Sequence, residues 1–287
     1  MKFNKKSKRL LLLIAVVMLL AGCGRITGAD GRVLPEKIIS LSTTFTHMLN
    51  EEGWFEAIFV WPFAQLINFF AQYMNVAFSV IVVTILSRLV ILPLTIKSTV
   101  SMQKLQMIQP ELNKIQKKYE GKDDDYSKMK MSQEMMNLYT KHNINPLSSL
   151  FGTFLNFPIM IAIWQAVQRA DSVINGSFLG LNMQELPWNA VTTDLSSSWG
   201  YIILIVILAA VQWISMKLPT YLARKDLKER ERRAAEANDK SSQMMNIMFV
   251  MIIVMSINMP AAMSFYWIVS GAVQMLQTVF IQKRYVK

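Results

Sequence analysis

The sequence predicts an all-α polytopic membrane protein with five transmembrane helices, an amphipathic helix at the outer interface and a helical hairpin in the cytosol. Three observations carry this. The 287-residue chain is 53% hydrophobic, and its apolar residues form long runs separated by charged stretches, the pattern of a multi-span chain. Its formal charge of +11 is gathered in segments that fall on one side of the membrane. One run, residues 73–96, has spanning length yet holds a single charge, Arg88, near its middle.

The residue inventory removes several classes of chemistry. One cysteine excludes a disulfide framework and a cysteine-based zinc site. The two histidines, His47 and His142, lie in different polar segments, and neither HExxH nor GxSxG occurs. No metal, no cofactor and no enzymatic reaction are expected.

Taken in order, the chain begins like a targeting signal. Lys2, Lys5, Lys6, Lys8 and Arg9 precede an apolar stretch, residues 10–20, too short to span comfortably. It ends in Leu20-Ala21-Gly22-Cys23, which resembles a bacterial lipobox, so residues 1–22 read as a lipoprotein signal peptide. Cys23 is the expected lipidation (palmitate-bearing) residue. Cleavage would leave a formal charge of +6 and a mature amino terminus outside the cell, tethered by acyl chains. Residues 23–53 read as an irregular extracellular spacer.

Residues 54–72 are apolar enough to be mistaken for a span, but Gln65, Asn68 and Gln72 recur on one helical face, and Trp54 and Trp61 supply interface anchors. Pro62 suits a helix start. Parity decides in favour of an interfacial helix. A second span here would put residues 97–145, with nine lysines, outside the cell against the positive-inside rule.

Residues 73–96 are therefore the first span, and 97–145 a cytosolic hairpin whose arms lie around 102–119 and 126–142. Gly121 and the acids Asp123, Asp124 and Asp125 mark its turn and the start of the second arm. Its methionines, Met102, Met107, Met129, Met131, Met135 and Met136, read chiefly as the seam between the arms, with a pliable apolar surface as the alternative. Residues 146–170 form the second span and 171–200 an outer loop without Lys or Arg. The third span is 201–216, slightly short unless it extends into Trp199 or Lys217, followed by a charged cytosolic loop at 217–243. Spans four and five are 244–257 and 261–282, joined by a tight turn, and a basic tail, 283–287, ends the chain in the cytosol. The cytosolic side collects twenty Lys and Arg against three in residues 24–72. Topology alone explains the positive charge, so no specific nucleic-acid binding is expected.

Arg88 lies nine residues before Lys97, about 13 Å at the helical rise, close to the middle of a ~30 Å hydrocarbon core. Facing lipid there costs between ~2.5 and well over 10 kcal/mol, so the side chain is expected to face a polar, water-accessible cavity. Candidate neighbours are Thr84 on its own helix, Asn156 on the second span, and a stripe on the last span that includes Trp267, Ser270, Gly271, Gln274 and Gln277. Gln274 is nine residues before Lys283, the same depth as Arg88 by the same count. The competing explanation is that Ser, Thr and Gln merely join helices by hydrogen bonds.

Several motifs resemble one family. They are Ser87-Arg88-Leu89 followed by Leu92-Pro93-Leu94, the Gln- and Met-rich basic stretch 102–119, Asn143-Ile144-Asn145-Pro146-Leu147, Phe157-Pro158 and Phe265-Tyr266-Trp267. Together they resemble the YidC/Oxa/Alb3 membrane protein insertases from about residue 54 onward. The lipobox and the lack of a large extracytoplasmic domain resemble the Gram-positive branch. The resemblance implies a five-helix core around a hydrophilic groove open to cytosol and lipid but closed outside, with Arg88 in the groove and Gln212 and Trp267 beside it. It also implies nascent membrane proteins and the lipid bilayer as partners, with the ribosome and the Sec translocon as further candidates. Two rival readings remain: a secondary transporter or channel for a small anion, and a scaffold that only holds other membrane proteins together.

Overall fold

A computed structural model describes residues 26–28, 33–225, 229 and 240–286, except for the side chains of 94, 146–156 and 240–243. The expected signal peptide, Cys23 and residues 226–228 and 230–239 of the loop 217–243 lie outside the described residues.

Helices dominate. After a single 3-10 turn at Pro35–Lys37 comes α1 (Phe45–Glu51), capped by Thr44, whose hydroxyl accepts the His47 N–H. A widened turn, Glu56–Val60, leads into α2 (Trp61–Ala71), and the Trp61 N–H reaches back five residues to the Glu56 carbonyl. The widening suits Pro62 in the first turn of α2, which has no N–H to contribute. Then follow α3 (Val76–Met107), α4 (Gln109–Lys118), α5 (Asp125–Lys141), α6 (Pro146–Arg169) and the single turn α7 (Asp171–Ile174). A two-stranded hairpin, β1 (Ser177–Phe178) with β2 (Leu181–Asn182), turns through Leu179 and Gly180, both at positive φ, as two-residue hairpin turns require. Helices α8 (Pro187–Thr193), α9 (Trp199–Arg224), α10 (Lys240–Ile257) and α11 (Ala261–Ile281) complete the order.

Two compact units share these elements. The first comprises residues 33–90, 154–209 and 253–270. Its core joins Ile39, Phe55, Val60 and Ile67 to Ala77, Val80, Val83, Ala166, Val167, Met263 and Tyr266. The first amides of α11 are satisfied here by the loop after β2: Ala261 N donates to Glu185 O and Ala262 N to Met183 O, both at 2.9 Å. Helix amino termini need such partners.

The second unit comprises residues 91–153, 210–225, 240–252 and 271–286. It contains the hairpin, in which α4 and α5 pack through Ile108, Leu112, Leu138 and Ile144. Asp124 caps α5 by accepting the Ser127 N–H at 2.8 Å, and Gly121 turns at φ +78.

By length and composition, three helices among the described residues can cross a membrane: Val76–Pro93, Trp199–Arg224 and Ala261–Val286. Met244–Ile257 is a shorter apolar helix. The 24 residues of α6 extend about 36 Å at the helical rise.

Four expectations change. Helix α3 does not end with the first apolar run at 96 but continues as one helix of 32 residues to Met107. Lys97, Ser98 and Gln103 sustain a helix as well as apolar residues do, and the break comes where Pro110 enters the first turn of α4. Helix α9 takes the extension through both Trp199 and Lys217 and goes further, to Arg224, which removes the shortness of the third span. The methionines contribute little of the hairpin seam. Met102, Met107, Met129 and Met136 are exposed, Met135 packs against the interface from its edge, and Leu and Ile fill it. Finally, residues 33–53 hold two helical elements and pack into the core instead of forming an irregular spacer.

Candidate functional site

Arg88 is half-buried, with Val83, Thr84 and Ser87 buried beside it along α3. Its Nη2 donates to Ser270 Oγ on α11. The Tyr266 phenol, one turn earlier on α11 and 2% exposed, interacts with both Arg88 and Ser270. A helical side chain leans toward the amino terminus of its own helix. The guanidinium therefore meets α11 at Ser270, one turn before Gln274, the position that depth counting favoured. The result is a positive charge that is neither sealed nor free, resting against two hydroxyl groups.

The other expected site residues divide between the two units. In the first, Thr84 directs its hydroxyl to the Val80 carbonyl at 2.7 Å, satisfying it within its own helix. Trp267 is partly buried and packs against the apolar core. In the second, Gln212 Oε1 accepts from Ser215 Oγ at 3.3 Å. Both residues flank Gly271, where an added Cβ would stand 2.8 Å from Val211 Cγ1. Gly271 is thus what allows α9 and α11 to approach closely. Gln274 is half-buried in the same unit. The side chain of Asn156 and the whole of Cys23 lie outside the described residues.

A second charged cluster in the first unit carried no strong signal in the sequence. Arg169, the last residue of α6, is 1% exposed. Its Nε donates to Lys37 O at 2.7 Å, and its Nη2 lies 3.2 Å from Glu52 Oε1. Lys37 Nζ meets the same carboxylate oxygen at 3.0 Å. Buried Glu56 stands nearby, and its removal from water pushes its pKa above the ordinary carboxylate range, with Arg169 pulling the other way. An arginine at the end of an apolar run looks like an ordinary interface anchor, and nothing in its spacing pairs it with Glu52.

The polar face of α2 also proves to be engaged by protein. Asn68, 4% exposed, donates to Ile39 O at 2.7 Å and accepts from Ser172 N at 3.0 Å. Gln65 Nε2 donates to Ser40 O at 2.7 Å and Thr43 O at 3.1 Å.

Long apolar helices, a charged group at mid-helix with hydroxyl partners and a charged helical hairpin define a helical membrane protein. Comparison with known proteins places it further. The family model of the 60Kd inner membrane protein matches residues 67–287. The chain is 32% identical to Membrane protein insertase MisCA of Bacillus subtilis over 98% of its own length and 93% of that protein's. It is 30% identical to Membrane protein insertase YidC 2 of Bacillus anthracis, covering 97% and 94% of the two chains. To Membrane protein insertase YidC of Alkalihalophilus pseudofirmus it is 30% identical, covering 98% and 96%. The chain belongs to the 60Kd inner membrane protein family, the YidC/Oxa1 family, and is a multi-pass helical membrane protein.

Proposed function

We propose that this protein is a membrane protein insertase that works without covalent chemistry. A nascent client first touches the cytosolic hairpin. Its polar outer segment then enters a hydrated site centred on Arg88, and its apolar helix leaves sideways into lipid, driven by burial of apolar surface. The half-buried guanidinium against Ser270 and Tyr266 supports this reading most. It offers donors to a peptide that has lost water, and its positive charge suits acidic segments. Membrane potential assists outward movement of acidic residues by about 2.3 kcal/mol per charge per 100 mV.

Several expectations from the sequence belong to the same proposal. Thr84, Asn156, Gln212, Trp267 and Gln274 act as further polar or aromatic contacts for the client. The chain crosses the membrane five times with its carboxyl end in the cytosol. Cys23 carries the lipid that anchors the mature amino terminus outside, and the ribosome and the Sec translocon deliver some clients.

The test is reconstitution of the purified protein alone in liposomes. A labelled single-span client added during synthesis is expected to become protease-protected in its outer segment. No protection above empty liposomes would reject the insertase reading, and anion flux without any client would favour a transporter.

A further inference from the structure

Residues 37–43 form a strap from the end of the first 3-10 turn to α1, extended through 38–40 and turning at 41–42, and protein groups bind several of its carbonyls. Lys37 O accepts from Arg169 Nε at 2.7 Å. Ile39 O accepts from Asn68 Nδ2 at 2.7 Å and from Asp171 N at 3.0 Å, while Ile39 N donates to Arg169 O at 2.8 Å. Thr43 O accepts from Trp61 Nε1 at 2.8 Å and shares Gln65 with Ser40 O. Ile39 itself is fully buried and belongs to the same apolar cluster as Val80, Val83, Met263 and Tyr266. Tyr266 also touches Arg88, so one apolar cluster runs from the strap to the arginine's partner.

Apolar packing of Ile39 would hold a passive extension in place. A buried arginine is a costly addition to that, because taking its charge out of water is only partly repaid by its partners. Arg169 grips the strap at its start, through Lys37 O, and the far side of α1, through Glu52. Asn68 ties the strap to both α2 and the segment after α6.

We propose that residues 37–43 are a seal on the side of the first unit where α2 and the carboxyl end of α6 meet, and that Arg169 is its positioning residue. With the strap fastened, the site at Arg88 is closed on the strap side. With it released, the apolar cluster loosens and water enters from that side. This inference rests on the reading of Arg88 as a hydrated client site open to the cytosol.

The experiment places a cysteine at Arg88's partner, Ser270→Cys, with Cys23→Ala removing the one native cysteine. A membrane-impermeant maleimide is added to right-side-out and to inverted membrane vesicles holding the full chain. With the native strap, labelling is expected from the cytosolic side only. Arg169→Met and Glu52→Gln are each expected to lose protection from the outer side, and Arg169→Lys, which keeps the charge but not the Nε donor, to recover part of it. A protease site placed at exposed Leu41 and cut after membrane assembly gives the same readout without asking a variant to fold. Labelling that stays one-sided after the cut and in the variants, even with lowered thermal stability, would overturn the strap proposal and leave the groove reading intact. Absence of cytosolic labelling in the parent would instead overturn the groove reading.

Discussion

Arg88 was conspicuous in the sequence because a charge inside an apolar run has few explanations. Its partner was less so. Counting depth along two parallel spans pointed to Gln274, and the lean of the side chain toward the start of α3 brings it to Ser270, one turn earlier on α11. Rotation and lean are invisible to a count of residues. Ser270→Ala removes a hydroxyl that accepts from a charged donor, an interaction worth about 1.5–3 kcal/mol. We expect it to slow insertion of acidic clients less than Arg88→Ala does, measured as the rate of outer-segment protection. Arg169 was not legible, since terminal arginines on spans are commonplace and its partners lie far away in sequence. Arg169→Met leaves Glu52 and Glu56 without their buried counter-charge and is expected to cost about 3–5 kcal/mol, read as a lowered midpoint of thermal unfolding in detergent. Glu52→Gln should destabilise in the same direction, because Arg169 then stays buried with a neutral partner in place of Glu52.

Among the elements, the hairpin was read correctly in its turn and in its second arm, where local signals suffice. Gly121 adopts the left-handed conformation, and Asp124 provides the cap. The start of its first arm was misplaced because charge marks the expected membrane boundary, not the end of a helix, and α3 carries straight on to Met107. Gly121→Ala is expected to weaken the turn by about 1–2 kcal/mol, visible as faster amide exchange in α4 and α5. The hairpin also has a defined response to acid. Glu134 is held below the usual carboxylate range by Lys118 at 2.6 Å and the Tyr119 hydroxyl, and Asp124 by the Ser127 amide. Groups with depressed folded pKa values stabilise above their unfolded values, near ~4, and that stability is lost as pH falls through the folded values. Exchange protection of α5 should therefore hold from neutral pH to about 5 and decline below about 4. Glu134→Gln should lose part of that decline. The strap escaped the sequence reading for a different reason. Side chains that bind backbone carbonyls leave no periodicity, so the polar face of α2 looked like a water-facing surface when it is a clasp for residues 37–43.

At the scale of the molecule, the helical, multi-span character was legible because long apolar runs and clustered Lys and Arg are redundant signals, whereas the short elements in 33–53 and the β1–β2 hairpin carried none. The partners of Arg88 were legible only as a set of candidates, for a stripe names a face and not the group that it meets. The central claim is that a single hydrated positive charge gives passing polar peptide a tolerable place inside the bilayer. Its most direct test is a charge series in liposomes: single-span clients whose outer segments carry zero to four acidic residues, inserted by the wild-type protein, Arg88→Lys and Arg88→Ala. The account predicts that Arg88→Ala loses activity progressively as the acidic count rises while Arg88→Lys retains most of it. Equal rates for Arg88→Ala and wild type across the whole series would contradict it.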